Sequence, residues 1–195
     1  MSLSMRGLGL AWLLAGFLTA AFPPALVLAD AVPRAQLTQE YLLKAAFLFN
    51  FAQFVDWPTD AFVDGATPIT IAVLGDDPFG ATLDETVANE LAHNRRLVVR
   101  RYRNVDEIEA CHILFIGASQ MNRLERISEK LATRSVLTVG EGPDFTAHSG
   151  IIAFELKQRR LRLRINLTAA NAARLTISSK LLRQADIVGA KGIGR

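Results

Sequence analysis

Cys111-His112-Ile113-Leu114-Phe115-Ile116-Gly117 is the stretch around which the chain organises itself. Four consecutive apolar residues closed by a glycine read as a strand covered on both faces, the pattern of a central strand in a parallel sheet. Ile69 to Leu74 repeats the pattern and is closed by Gly75, so a second buried strand is expected there. Leu97 to Tyr102 and Ser135 to Val139 supply two more, and helical segments separate all four. That alternation predicts right-handed crossovers and a three-layer α/β/α sandwich. The expected order is 2-1-3-4, counting the four strands along the chain.

After Gly142-Pro143 the pattern changes. Ile151 to Leu156 and Arg160 to Ile165 are joined only by Lys157-Gln158-Arg159. No parallel crossover fits so short a link, so an antiparallel hairpin is expected to extend the sheet at one end. In its second strand Leu161, Leu163 and Ile165 alternate with Arg160, Arg162 and Arg164. An outer strand with a row of arginines resists edge pairing, or else presents an anion or partner site. Asn166 is placed to cap a C-terminal helical region running from Leu167 to Val188.

Towards the amino terminus, Tyr41 to Trp57 reads as a helix ended by Pro58. Its apolar residues exceed a single stripe, so the aromatic excess either packs on the sheet or meets a partner or a second copy of the chain. Phe47, Phe51, Phe54 and Trp57 are the partner-binding candidates. Asp77 and Pro78 are expected as N-cap and first residue of a helix running through Leu83, Val87 and Leu91.

Met1 to Arg6 carry one positive charge, Gly7 to Phe22 are almost wholly apolar, and Ala25 to Ala31 end in small residues. This is the layout of a cleaved secretory signal, residues 1–29 if cleavage follows Ala29, with Ala31 as the alternative. The expected organisation is one α/β domain over residues 37–189 and a frayed tail at 190–195. The whole chain has 22 basic and 19 acidic residues, net +3, and loss of Arg6 leaves 21 against 19, net +2. Such a balance gives no reason to expect nucleic-acid binding. No later segment reaches about 18 uninterrupted apolar residues, so no direct membrane insertion is expected.

Catalytic chemistry is hard to find. Cys111 is the single cysteine, which excludes an intramolecular disulfide and reads as a small buried apolar residue. His93, His112 and His148 stand at no metal-ligand spacing, so no metal or cofactor is expected. There is no phosphate loop and no nucleophile elbow. Asp76, Asp77, Gly117 and Ser119 lie beyond the carboxyl ends of two strands, where open α/β sheets bind ligands, and are the crevice candidates. A helix cap accounts for the two aspartates equally well.

Taken together, Lys44-Ala45-Ala46-Phe47-Leu48-Phe49-Asn50-Phe51 with Trp57-Pro58, Val73-Leu74-Gly75-Asp76-Asp77-Pro78-Phe79-Gly80, the Cys111 stretch, Val136-Leu137-Thr138-Val139, and Ile165-Asn166 followed by Ile177-Ser178-Ser179-Lys180-Leu181-Leu182 resemble the YfiR family. The resemblance implies a non-catalytic periplasmic regulator that binds and represses an inner-membrane diguanylate cyclase, and so acts on cyclic-di-GMP and biofilm. A periplasmic solute-binding protein is the alternative. Family members under redox control carry paired cysteines, whereas Ala72 stands at the aligned first-strand position. Ser149-Gly150 replaces a usual glycine pair. Arg174 replaces a glycine between the last two helical segments, which predicts a continuous C-terminal helix because the left-handed conformation is costly for arginine.

Overall fold

The computed structural model describes residues 34–189. The segment expected as a secretory signal, 1–29, and the expected frayed tail, 190–195, lie outside them.

The first helix, α1, spans Arg34–Phe54. It turns Ala45, Leu48, Phe51 and Ala52 fully inward, with Phe47, Phe49 and Phe54 packed partly against the same core. It stops three residues earlier than Trp57 because Val55–Asp56 leaves as a short strand, β1. β1 pairs antiparallel with Thr176–Ile177 near the carboxyl terminus.

The central sheet begins with β2, Ile69–Leu74, in which every residue is buried. Helix α2, Ala81–Val87, follows a turn built by Asp77, whose Oδ1 accepts from the N–H groups of Phe79 (2.8 Å) and Gly80 (3.3 Å). Asp77 therefore shapes the approach to the helix, and Gly80, at φ 52°, takes the cap position that Asp77 was expected to hold. The helix also ends before Leu91. Asn89 turns left-handed (φ 62°), and β3, Leu91–Ala92, pairs antiparallel with β4, Arg95–Tyr102. His93 and Asn94, at φ 50° and 60°, form the two-residue turn between them, the hairpin geometry that needs positive φ at both positions.

β5, Ile113–Ile116, is buried throughout, as its apolar run predicts. A 3-10 turn at Ala118–Arg123 leads into α3, Leu124–Leu131, which buries Leu124, Ile127 and Leu131. β6 is Leu137–Glu141, and α4, Pro143–Ala147, precedes the hairpin of β7, Ile152–Lys157, and β8, Arg160–Asn166. Gln158 and Arg159, at φ 51° and 60°, make its tight turn.

The carboxyl-terminal region is the main departure from expectation. Asn166 caps a helix as anticipated, accepting from Ala169 N–H at 3.0 Å, but α5 ends at Ala172. Arg174 adopts φ 57°, the left-handed state that the family's glycine would favour, and Ser149 does the same at φ 69°. The continuous helix does not form. Leu175 N–H instead bonds back to Ala170 O at 3.0 Å, closing the helix and sending the chain into β9, Thr176–Ile177, then α6, Ser179–Leu182, and β10, Ala185–Val188. β10 pairs in parallel with β8, so the arginine-bearing strand is not the edge strand.

The sheet runs β10-β8-β7-β6-β5-β2-β4-β3. The four parallel strands follow the expected 2-1-3-4 order as β4-β2-β5-β6, and the hairpin extends the sheet beyond β6. Side-chain alternation divides the core in two. Ile71, Val73, Ile113 and Phe115 join α1 and α2 on one face; Ala72, Leu74, Leu114 and Ile116 join α3 and Phe145 on the other. The result is a mostly parallel α/β/α sandwich.

Candidate functional site

The aromatic candidates of α1 separate once the helix is packed. Phe51 is fully buried and stacks on Phe154 at 5.9 Å between centroids, with Phe47 tilted against both at about 6 Å. Phe51 is thus a core residue and cannot touch a partner in this packing. Phe54 is partly buried. Trp57 lies at the far end, its Nε1–H donating to His112 O at 3.2 Å. Among the described residues of α1, the large apolar side chains left exposed are Leu42 (50%) and Leu43 (47%). Sequence reading passed over them because the stripe pattern does not say which flank of a broadly apolar helix stays uncovered.

Lys44, the next residue along the helix, is only 3% exposed. Its ammonium lies 2.5 Å from both Glu40 and Glu141 and 4.3 Å from the centre of the Tyr41 ring. The neighbouring carboxylates and partial burial push the Tyr41 phenol up to about 12, burial being the larger cause. Lys44 thereby ties α1 to the carboxyl end of β6.

Gly117 and Ser119 are brought against Asp76. Asp76 N–H donates to Ser119 Oγ at 3.2 Å, and a Cβ on Gly117 would sit 2.9 Å from Asp76 O. At Gly75, φ 88°, a Cβ would meet Ser119 Oγ and Gln120 Cγ at 2.7 Å. The two strand-end loops therefore touch, and Ser119 and Gln120 fill the space between them. Asp77 points elsewhere, pairing with Arg101 Nε at 2.6 Å, while Arg101 also reaches Asp84 at 2.5 Å and Gly80 O at 2.7 Å. That guanidinium holds the Asp84 carboxyl below its ordinary range. The aspartate pair is thus divided between a loop contact and an ion-pair network.

A cavity of about 460 Å³ lies at the other end of β2 and β4, with Asp56, Trp57, Phe62, Val63, His93 and Arg95 in its lining. Cys111 is buried nearby at the start of β5, and burial pushes its thiol up to about 12, which leaves it protonated and unreactive at neutral pH. Among the described residues no group of three His, Cys, Asp or Glu side chains is placed to hold a metal ion. No helix among them is long and apolar enough to cross a membrane.

Fold and surface together define a small α/β/α domain whose charged clusters are engaged in structure. The model of the YfiR/HmsC-like family (DUF4154) matches residues 41–186, and the chain belongs to that family. Its members are regulators of cyclic-di-GMP signalling. No curated protein matches the chain. A crystal structure of a conserved domain protein from Vibrio cholerae O1 biovar El Tor aligns with a TM-score of 0.48 and 14% identity. The alignment covers 77% of this chain and 59% of that one.

Proposed function

We propose that this chain is a non-catalytic periplasmic protein that binds the periplasmic part of an inner-membrane diguanylate cyclase and represses it. Cyclic-di-GMP, and with it biofilm, would then stay low until the complex is released. Membership of the YfiR/HmsC-like family over residues 41–186 is the observation that carries this reading. The exposed Leu42 and Leu43 offer apolar contact area on α1 beside the half-covered Phe47, for the cyclase or for a second copy of the chain. Holding a freely active cyclase ninety-nine per cent off requires roughly a hundredfold preference for its inactive form, about 2.7 kcal/mol, which a few buried apolar side chains supply.

Deleting the gene is expected to raise cyclic-di-GMP, and deleting the cyclase as well is expected to abolish the rise. An unchanged level after the single deletion, where the cyclase is expressed, refutes repression. Export is tested separately by mass spectrometry of the periplasmic fraction: the mature chain is expected to begin at Asp30 or Val32, and an intact Met1 species in the soluble fraction refutes it.

A further inference from the structure

His112 is 5% exposed, and both of its ring nitrogens are committed to backbone groups distant in sequence. Thr70 N–H donates to Nδ1 at 3.0 Å, and Nε2 faces Ala61 O at 3.3 Å. These partners assign one tautomer: neutral, with its proton on Nε2. The ring is further clasped by the segment after α1. Phe62 stacks on it at 4.5 Å and 16°, and Trp57 meets it edge-on at 6.1 Å while bonding to its carbonyl. Phe62 carries the Arg95 guanidinium 3.9 Å from its centre, on the face the imidazole leaves free. Thus one imidazole fastens Trp57, Ala61 and Phe62 to the first residues of β2 and β5, and that segment walls the 460 Å³ cavity.

We propose that His112 is a proton-controlled latch: protonation frees the Trp57–Phe62 segment, opening the cavity and exposing its aromatic residues, so that acidification is a relief signal for the regulator. The chemistry follows from the contacts. A protonated Nδ1 presents a hydrogen to the Thr70 N–H, donor against donor, so the bond at the start of β2 is lost and a buried amide is left unpaired. The new charge also lies one ring away from Arg95. Asp56, Asp64 and His93 line the first cavity beside Trp57 and Phe62, and His112 itself lines a second, of about 320 Å³, with Asp60, Glu109, Arg134, Arg174 and the Cys111 thiol. Asp60 is already paired with Arg174 at 2.8 Å, and Arg134 bonds the backbone carbonyl of Glu109 at 3.0 Å. Burial is the leading cause that holds the imidazole below its ordinary value of 6.5, with Arg95 adding to it and the Ala61 contact opposing it. The sign is therefore that of a group depressed in the folded state: its contribution is intact above about pH 6.5 and is lost as pH falls towards the folded value.

The regulatory half of this inference rests on the repressor reading; the latch itself does not. Tryptophan occurs only at positions 12 and 57, so a Trp12→Phe chain purified from its host reports on Trp57 alone. Acidification from pH 7.5 to 4.5 is expected to red-shift its emission and raise acrylamide quenching at least twofold, with a midpoint below 6.5 and an unchanged far-ultraviolet dichroism spectrum. His112→Asn, whose side-chain oxygen still accepts from Thr70 but does not titrate, is expected to abolish the transition. His93→Asn, which removes the imidazole 3.8 Å from Asp56 across the same cavity, is expected to keep it. A flat wild-type titration, a transition that persists in His112→Asn, or one that disappears in His93→Asn overturns the latch. Capture of the cyclase's periplasmic part at pH 7.5 and at pH 5.0 then separates the two ideas. Loss of capture at pH 5.0 in wild type but not in His112→Asn supports the relief role, and equal capture at both values overturns it. Absence of capture at either value refutes the repressor reading and leaves the fluorescence result standing.

Discussion

Replacing Lys44 with methionine tests the ion-pair cluster that joins α1 to the end of β6. The ammonium is almost wholly enclosed, its side chain 4% exposed, whereas those of Glu40 and Glu141 are 21% and 28% exposed. Removing one member of a fully buried pair costs about 3–5 kcal/mol, mostly because the stranded charge keeps its desolvation penalty. Here the carboxylates retain some water and methionine replaces the aliphatic stem, so the expected loss is smaller, about 2–3 kcal/mol. For a chain of this size that corresponds to a fall in melting temperature of roughly 4–12 °C. A double-mutant cycle isolates the contact. Lys44→Met, Glu141→Gln and the double variant, unfolded in urea, are expected to give a coupling energy of about 1–2 kcal/mol, above the usual range for exposed pairs. Coupling below about 0.5 kcal/mol would refute the argument that this lysine joins α1 to the end of β6, and would reduce the cluster to a surface ion pair.

Leu114→Asp places an unpaired charge between β2 and β6 in the fully buried strand; the expected loss of several kcal/mol approaches a domain's whole stability, and a variant melting cooperatively near the wild-type temperature contradicts the placement. Arg174→Gly relieves a left-handed arginine while losing only an exposed pair to Asp60, so in urea unfolding it is expected to match or exceed wild type, with Arg174→Val about 1 kcal/mol or more below it. Cys111 is expected to resist a chromogenic disulfide reagent at pH 8 in the native protein and to react fully in denaturant, because burial keeps the thiol protonated and covered. Rapid native labelling would contradict that placement.

The frame of the sheet is legible in local pattern. Ile69–Leu74 and Ile113–Ile116 are uninterrupted apolar runs, and only strands covered on both faces call for such runs, so their central positions follow from a few residues each. Crossover length and handedness then constrain the order, and the three-residue link at Lys157-Gln158-Arg159 demands the hairpin. Asn166 could be read as a cap because its hydrogen bond closes within three residues. Pattern fails where a contact spans the chain. Leu91–Ala92 has only two residues and Ala185–Val188 is a four-residue run broken by Asp186, too little pattern to declare a strand, and they exist because β4 and β8 offer unpaired backbone at their sides. Arg174 misled because intrinsic preference opposed the left-handed state by only about 1 kcal/mol, less than pairing β9 with β1 and β10 with β8 returns. Lys44 and Glu141 are 97 residues apart, and His112 meets Thr70 and Ala61 across 42 and 51. The residue types on each side were visible from the start; that a lysine is enclosed by carboxylates, and an imidazole held neutral by two backbone groups, was decided only when packing removed the water that would otherwise have satisfied them.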